Sequence, residues 1–510
     1  MVLLWRKNFE IKRVDLNIMA ESQHGFYDLQ NKTIDKKVLK SCLWIIKNLD
    51  NVASYFLKDE LRAIIKNTLY VIINKPNKVD KIHQDTIDLN KKYFKFAKSI
   101  RKLKLSNLSN KKLLLWHNQL FRYQYLSHGL ALPTTWFIDS DGEDFTKYLR
   151  QLLQRKITPK SNINMASAFS LLTTPLRQSL GQQEEIESLK ILGVIKRNKK
   201  VKNWFISNTT SELLKQFSTL AVNIKKQLYN HFQKWCWMPY TYLGPAYTLD
   251  YYLEIWRGLL HEDINPDAEI KKIHIKILNI RRNHKAIVKK LKLSNQEKHL
   301  FNIAADIIWL KGYRKDCYYH GFFVLDLILA EIARRSGLSL LQTKYLLHKE
   351  LPKALKGKDF SKLTNERMKF SVIYFNKRRQ KVLIGKRASK FLSRQKFERI
   401  PKIKASDLNG TCACPGFAKG IARVVNVPED IPKMKPGDIM ISHTTFPALV
   451  PAMKKAAAIV TEDGGVTCHA AIVARELQTP CIVGCKGLLK VLKDANRIEV
   501  NASEGIIKKL

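Results

Sequence analysis

Acidic residues are scarce in this 510-residue chain: 44 Asp and Glu stand against 90 Lys and Arg, a formal charge of +46. That surplus supports solubility and adhesion to polyanions, and it decides nothing about fold. Glycine (21) and proline (16) are also few, which argues against a Gly-rich β-architecture and favours long helices. No apolar run approaches the ~18 residues of a membrane span. The best stretch, Phe322 to Ala333, is broken by Asp326 and Glu331. Only five apolar residues precede Arg6, too few for a signal peptide, so no membrane partner and a cytoplasmic location are expected. Eight cysteines are too dilute for a disulfide scaffold, and reduced thiols are the default. What is present in quantity is apolar side chain: 45% of residues, with 10% aromatic. Real cores can be buried, a largely disordered chain is excluded, and the length suits about three or four domains.

The composition changes near residue 400. Residues 405–510 hold 13 basic and 10 acidic residues, so nearly all of the charge lies upstream. This tail also holds nine of the glycines and five of the cysteines. The basic, proline-containing stretch 394–404 reads as a linker. Upstream, the periodicity is helical almost throughout. The clearest segment runs from about Asn295 to Arg335, where Tyr318, Phe322, Leu325, Leu329 and Ile332 make one helical stripe. Gly337 supplies its stop, and Ser339 caps the next helix, Leu340 to Leu347. Similar patterns mark Lys36–Asn48, Lys58–Leu69, Asp88–Ile100, Gln183–Ile195 and Ser211–Trp235. The tail alternates short β-rich runs (Ile421–Val427, Asp438–Ser442, Ala457–Thr461, Cys481–Val483, Arg497–Val500, Gly505–Ile507) with helical patterns at Phe446–Lys455 and Cys468–Leu477. The expected fold class is a mostly α-helical body followed by a C-terminal α/β domain. Its parts are 1–210, 211–393, the linker 394–404 and the tail 405–510.

One segment carries chemistry. A strand ends at Thr461, Gly464 and Gly465 form a loop, and a helix begins near Cys468, placing His469 in its first turn. Free backbone N–H groups and the positive end of the helix dipole converge there, which makes an anion site. Gly464 and Gly465 let the backbone approach a phosphate closely, and Thr467 is a natural cap or hydroxyl donor. The same field disfavours imidazolium, so His469 is expected to be neutral and nucleophilic near pH 7, then stabilised once phosphorylated. Read from the local physics alone, a histidine merely packed at a helix start fits equally.

The run Gly464–Gly484, GGVTCHAAIVARELQTPCIVG, resembles the phosphohistidine signature of the phosphoenolpyruvate-utilising enzymes, among them phosphoenolpyruvate synthase, pyruvate phosphate dikinase and rifampicin phosphotransferase. Gly410 with Cys414–Gly420, Lys435–Ile439 and Thr444–Pro447 resemble further landmarks of that family, with Asn501 and Ala495 as departures. The resemblance implies a swivelling β/β/α domain whose histidine, matching His469, is phosphorylated. It implies supporting roles for Gly464, Gly465, Thr467, Cys468 and Arg475. More weakly, Arg314 with Tyr318, Arg334–Gly337, Tyr345-Leu346, Glu350-Leu351 and Lys381–Gly385 resemble the family's central helical region, over about residues 210–395. Residues 1–210 resemble nothing we can name.

No Gly-rich phosphate loop of Walker or Rossmann type is present. Residues 1–404, with 12 glycines and helical periodicity, are expected to contain no ATP-grasp module, and no phosphoenolpyruvate barrel is expected. The chain alone is therefore expected to bind no cofactor. Mg-ATP or phosphoenolpyruvate would be used by a separately encoded partner carrying an ATP-grasp or phosphoenolpyruvate site. The acceptor is unknown. A regulatory phosphocarrier without a small-molecule acceptor is the second reading. The third is nucleic-acid binding through Lys196–Lys202, Arg281–Lys292 and Lys377–Arg387, although no DNA- or RNA-binding motif accompanies them. Cys412, Cys414, Cys481 and Cys485 lie in or beside strands rather than on zinc knuckles, so no metal is expected. The aromatic run from Trp235 to Trp256 is either core or, through Trp237, Tyr240, Tyr247 and Tyr251, an aromatic wall for the acceptor.

Overall fold

Twenty-two buried residues line the helix Asn295–Ser336, more than one amphipathic stripe supplies, so this helix is enclosed by others rather than laid on a surface. It begins in a capping box, with Ser294 Oγ accepting from the Glu297 amide at 3.2 Å and Glu297 accepting from the Ser294 amide at 2.7 Å. It ends at Gly337 in the left-handed conformation, φ 69°. At 42 residues it spans about 63 Å and forms the axis of the body. The structure is a computed structural model describing residues 4–11, 16–48, 51–138, 144–158, 162–240, 244–398, 408–445, 449–465 and 468–510.

Helices Pro76–Ile100, Asn110–Leu132 and Met165–Thr173 pack along the long helix. A β-carbon on Gly321 would lie 1.8 Å from the Tyr93 hydroxyl, so glycine there is what lets Pro76–Ile100 approach so closely. Helices Lys58–Asn74 and Leu180–Arg197 fall where periodicity places them. Ser211–Trp235 does not form one helix. It divides into Thr210–Gln216, a short 3-10 turn and Val222–Trp235. Among the described residues no helix is long and apolar enough to cross a membrane.

Two sheets interrupt the helical body and build the tail. The first has six strands: β1 Leu4–Ile11, β2 Ser41–Lys47, β3 Asn51–Leu57, β4 Phe370–Asn376, β5 Arg379–Ile384 and β6 Lys396–Phe397, in the order β5-β4-β2-β3-β1-β6. It corrects two expectations. Residues 1–404 are not helical throughout, and Lys36–Asn48 is not a helix. Ser-Cys-Leu-Trp-Ile-Ile is buried along its whole length in β2. A short apolar run of this kind has the same pattern in a buried strand as in a buried helix; here β-branched and aromatic side chains and two flanking strands decide for strand. Nor is residue 210 a boundary. β2 from one side pairs with β4 from the other, Cys42 opposite Phe375 and Ile46 opposite Ser371, and the largest core takes Tyr93 and Leu120 together with Trp256 and Leu329.

The tail is a seven-stranded sheet with β7 Thr411–Cys414, β8 Phe417–Val424, β9 Ile439–Ser442, β10 Ala458–Thr461, β11 Cys481–Val483, β12 Arg497–Asn501 and β13 Ile506–Lys509, in the order β13-β12-β8-β9-β10-β11-β7. Strands β8 to β11 run parallel. β9, β10 and β11 are buried on both faces, as parallel strands covered by helices should be. The chain is thus a mostly α-helical body followed by an α/β domain. The expected linker 394–404 begins inside the body's sheet: β6 pairs with β1, and Glu398 accepts from Lys58 Nζ at 2.7 Å and Arg6 Nη2 at 2.9 Å. The remainder of that linker lies outside the described residues.

Candidate functional site

The C-terminal ends of β9 and β10 set the site, the edge where open parallel sheets place their ligands. From β10 the chain passes through Gly464 and Gly465 into helix His469–Leu477, then returns to β11. Cys468 caps this helix with extended backbone, and the Ile472 amide closes its first turn on the Cys468 carbonyl at 3.0 Å. The amides of residues 469–471 therefore have no intrahelical acceptor, the usual state of a first turn. Gly464 has φ 121°, and a β-carbon on it would lie 2.7 Å from Cys468 Sγ. Only glycine fits both the dihedral and the contact. Thr467 lies outside the described residues.

From β9 comes Thr445, whose hydroxyl lies 2.8 Å from His469 Nδ1. Among the described residues Nε2 has no partner. Burial, with the ammonium of Lys315 second, holds the imidazole well below its ordinary range, down to about 3. His469 is therefore neutral at physiological pH. The structure supplies a cause that the sequence did not offer: the tail is docked on the body, and Lys315 of the long helix faces the histidine across the seam. Lys315 is itself brought down to about 8 by burial and by Lys311 and Arg314.

The seam holds further ionisable groups. Asp316 faces Glu476 of the tail helix, and burial and that neighbour raise it to about 8. Glu476 is raised to about 7 by burial, opposed by a hydrogen bond from Ser179. Lys276 Nζ donates to the Glu476 carbonyl, and Lys454 pairs with Glu185 at 3.0 Å. Lys315, Asp316, Glu476 and Thr445 carried no assignment from sequence. Each owes its place to a contact between residues far apart in the chain, and only Thr445, inside the Thr444–Pro447 landmark, had a signal that could have drawn notice.

Arg475 stands six residues along the helix from His469, about 9 Å, and its Nε donates to the Ala413 carbonyl of β7 at 2.9 Å. It fastens the helix to the sheet edge. Cys468 is likewise packed into the tail core. The aromatic wall also divides. Trp237 and Tyr240 are buried in the body core, Tyr240 donating to Asp326, and they line no open surface. Tyr247 and Tyr251 are half-buried and stacked at 3.7 Å, near Glu184 and Lys454 at the seam. Burial pushes the Cys412 thiol up to about 11 and Cys485 to about 12. Among the described residues no three metal-ligating side chains converge.

The site is thus a histidine at the start of a helix, on a Gly-Gly loop at the edge of a parallel sheet. The family described as PEP-utilising enzyme, mobile domain, matches residues 434–505, and the tail is a domain of that kind. Over 100 residues the chain is 50% identical to a probable phosphoenolpyruvate synthase of Archaeoglobus fulgidus, covering 20% of this chain and 13% of that protein. It is 47% identical over 102 residues to the phosphoenolpyruvate synthase of Pyrococcus furiosus, 20% of this chain and 12% of that one. With the phosphoenolpyruvate synthase of Pseudomonas aeruginosa it shares 45% identity over 86 residues, 17% and 11% of the two chains. The matched part thus spans only about an eighth of these curated relatives' length.

Proposed function

We propose that this chain is a phosphotransferase component that carries a phosphoryl group on Nε2 of His469. The observation that carries the reading is the pairing of Nδ1 with Thr445 at 2.8 Å. With Nδ1–H donating to the hydroxyl, the Nε2 lone pair is left free for an incoming phosphorus. Attack forms the N–P bond as the donor's leaving oxygen departs with the electron pair of its bond to phosphorus. Transfer reverses the roles: the acceptor oxygen bonds to phosphorus, its proton passes to solvent or a base, and the imidazole leaves neutral. The first-turn amides of the helix and the Lys315 ammonium favour the added negative charge.

The donor is used elsewhere, in our reading: a separately encoded ATP-grasp or phosphoenolpyruvate-site partner charges His469, supported by the absence of a Gly-rich phosphate loop in the sequence. The protein works in the cytoplasm on an acceptor held by the body. Incubation with such a partner and its donor should place an acid-labile, alkali-stable phosphoryl group on the peptide containing His469. His469→Ala should abolish it. Label mapped to any other residue would sink the assignment.

A further inference from the structure

Residues 367–397 hold eleven Lys and Arg and no Asp or Glu. Two of the eleven are paired elsewhere, Arg367 with Glu350 at 2.6 Å and Arg378 with Asp28 at 2.9 Å. Six others, Arg379, Lys381, Lys386, Arg387, Lys390 and Arg394, are exposed, and among the described residues none of the six has a carboxylate partner.

The fold gathers these cations on one side of the six-stranded sheet. On the edge strand β5, Arg379 and Lys381 lie opposite Asn376 and Tyr374, and Leu383 lies opposite Val372. Alternate residues share a face, so both cations stand on the face that Val372, Tyr374 and Leu383 give to one core. Helix Gly385–Leu392 lies over that same face, with Ala388 buried in the core and Phe391 and Leu392 packed against it. At about 100° per residue, Lys386, Arg387 and Lys390 fall within one arc of about 100°, turned away from Ala388. The chain then passes Arg394 and reaches β6 at the opposite edge, about 24 Å from β5 at about 4.8 Å per strand. Cations on an edge strand discourage pairing between molecules, which accounts for Arg379 and Lys381. It does not account for Lys386, Arg387 and Lys390 on a helix over the sheet face, where like charges four apart weaken the helix.

The composition of this track selects its partner. Among the described residues, no exposed large apolar side chain falls within 367–397. The patch therefore lacks the apolar centre of a protein interface, and the helix has already turned its apolar face to the sheet instead of leaving it for a membrane surface. Its rings Tyr374 and Phe391 are half-buried against each other at 5.2 Å, which leaves no platform for the bases of a single strand. What remains is a row of Lys and Arg suited to phosphates alone. A duplex carries one phosphate per about 1.7 Å of axis, so about 24 Å of track faces about seven base pairs.

We propose that this face of the six-stranded sheet binds the backbone of a double-stranded nucleic acid without reading its sequence. The proposal goes beyond the carrier reading and does not depend on it.

The test uses the full chain and a labelled DNA duplex of mixed sequence, about 20 base pairs long, read by fluorescence anisotropy between about 50 and 200 mM salt. Wild type should bind saturably, and log K should fall against log salt with a slope of about −5, the value for six neutralised phosphates. The variant Arg379→Gln, Lys381→Gln, Lys386→Gln, Lys390→Gln changes exposed side chains only and should melt as wild type does. It should bind at least tenfold more weakly, with the slope reduced to about −2. Should it not fold, Lys386→Gln, Lys390→Gln decides: a slope shallower by about 2 supports the site, and an unchanged slope overturns it. The control removes as much charge from exposed positions of helix Pro266–Lys290, as Lys271→Gln, Arg282→Gln, Lys285→Gln, Lys289→Gln, and should keep the wild-type slope. Equal losses in the two fourfold variants would show that net charge governs binding and would overturn the proposal. So would the absence of saturable duplex binding at the lowest salt, or binding to phosphatidylserine vesicles in its place.

Discussion

Thr445 and His469 are 24 residues apart in sequence, yet the hydroxyl of one lies 2.8 Å from Nδ1 of the other. They reach each other because β9 and β10 are parallel neighbours that end side by side, Thr461 opposite Ser442. The ring's orientation is therefore set by a residue that follows a different strand.

Removing that hydroxyl should slow phosphoryl transfer without unfolding the tail. Thr445→Val preserves shape but loses one hydrogen bond, about 1 kcal/mol, hence roughly fivefold to tenfold in rate. Thr445→Ser should restore most of it. Single-turnover labelling of His469 is the measurement, and an unchanged rate in Thr445→Val would dismiss the anchor.

Gly464→Ala should be costly. The position has φ 121°, and the added carbon would meet Cys468 Sγ at 2.7 Å. Strain of this kind costs about 1–3 kcal/mol, so the tail's melting temperature should fall by several degrees, roughly 4 °C or more. Calorimetry that shows no shift would mean the loop relaxes without strain.

Docking of the tail should weaken as pH rises from about 5 to about 8. Burial holds Asp316 at about 8 and Glu476 at about 7 when docked, whereas free carboxylates titrate near 4. A raised pKa gives stability that is complete below the free value and is lost as pH climbs to the docked one. The groups facing the pair are Lys315 on the long helix, and Ser179, Glu185, Lys276 and Lys454 around Glu476. Lys315, held at about 8, acts in the opposite sense only above that pH. Energy transfer between dyes on the two parts should report more docked molecules at pH 6 than at pH 8, with a flatter profile in Glu476→Gln. A flat profile in wild type would contradict this.

Glu185 and Lys454 form an ion pair across the seam at 3.0 Å with both side chains about half exposed. Joining these positions by a Glu185→Cys, Lys454→Cys crosslink should leave phosphotransfer to the body's acceptor intact and block charging by the partner. Reduction should restore charging. Full charging of the crosslinked protein would show that the histidine does not travel.

The tail was legible because its signals are local. Gly464, Gly465 and His469 occupy a strand–loop–helix unit whose parts lie within a dozen residues, and the ends of β9 to β13 fall within two residues of where the β-rich runs place them, while β8 begins four residues earlier and β7 was not expected. The body was harder. Ser41–Lys47 carries the same apolar run whether helical or extended, and what makes it a strand is Phe370–Asn376, far downstream. The hydrogen bond of Arg475 to β7 was not legible, because its partner Ala413 lies 62 residues away in the chain. Lys315 sits in the middle of a long helical pattern, and nothing local distinguishes it from the many other cations of this chain.

The six-stranded sheet sets a schedule for synthesis. β2 finds β4 about 320 residues later, so at about 5–20 residues per second the ribosome needs on the order of 16–65 s to deliver it. Through that interval the apolar edge Cys42–Ile46 has no neighbour on one side, and bare strand edges invite pairing with other chains. The nascent chain should therefore depend on a chaperone that shields this edge, and should aggregate when translation stalls between residues 60 and 370.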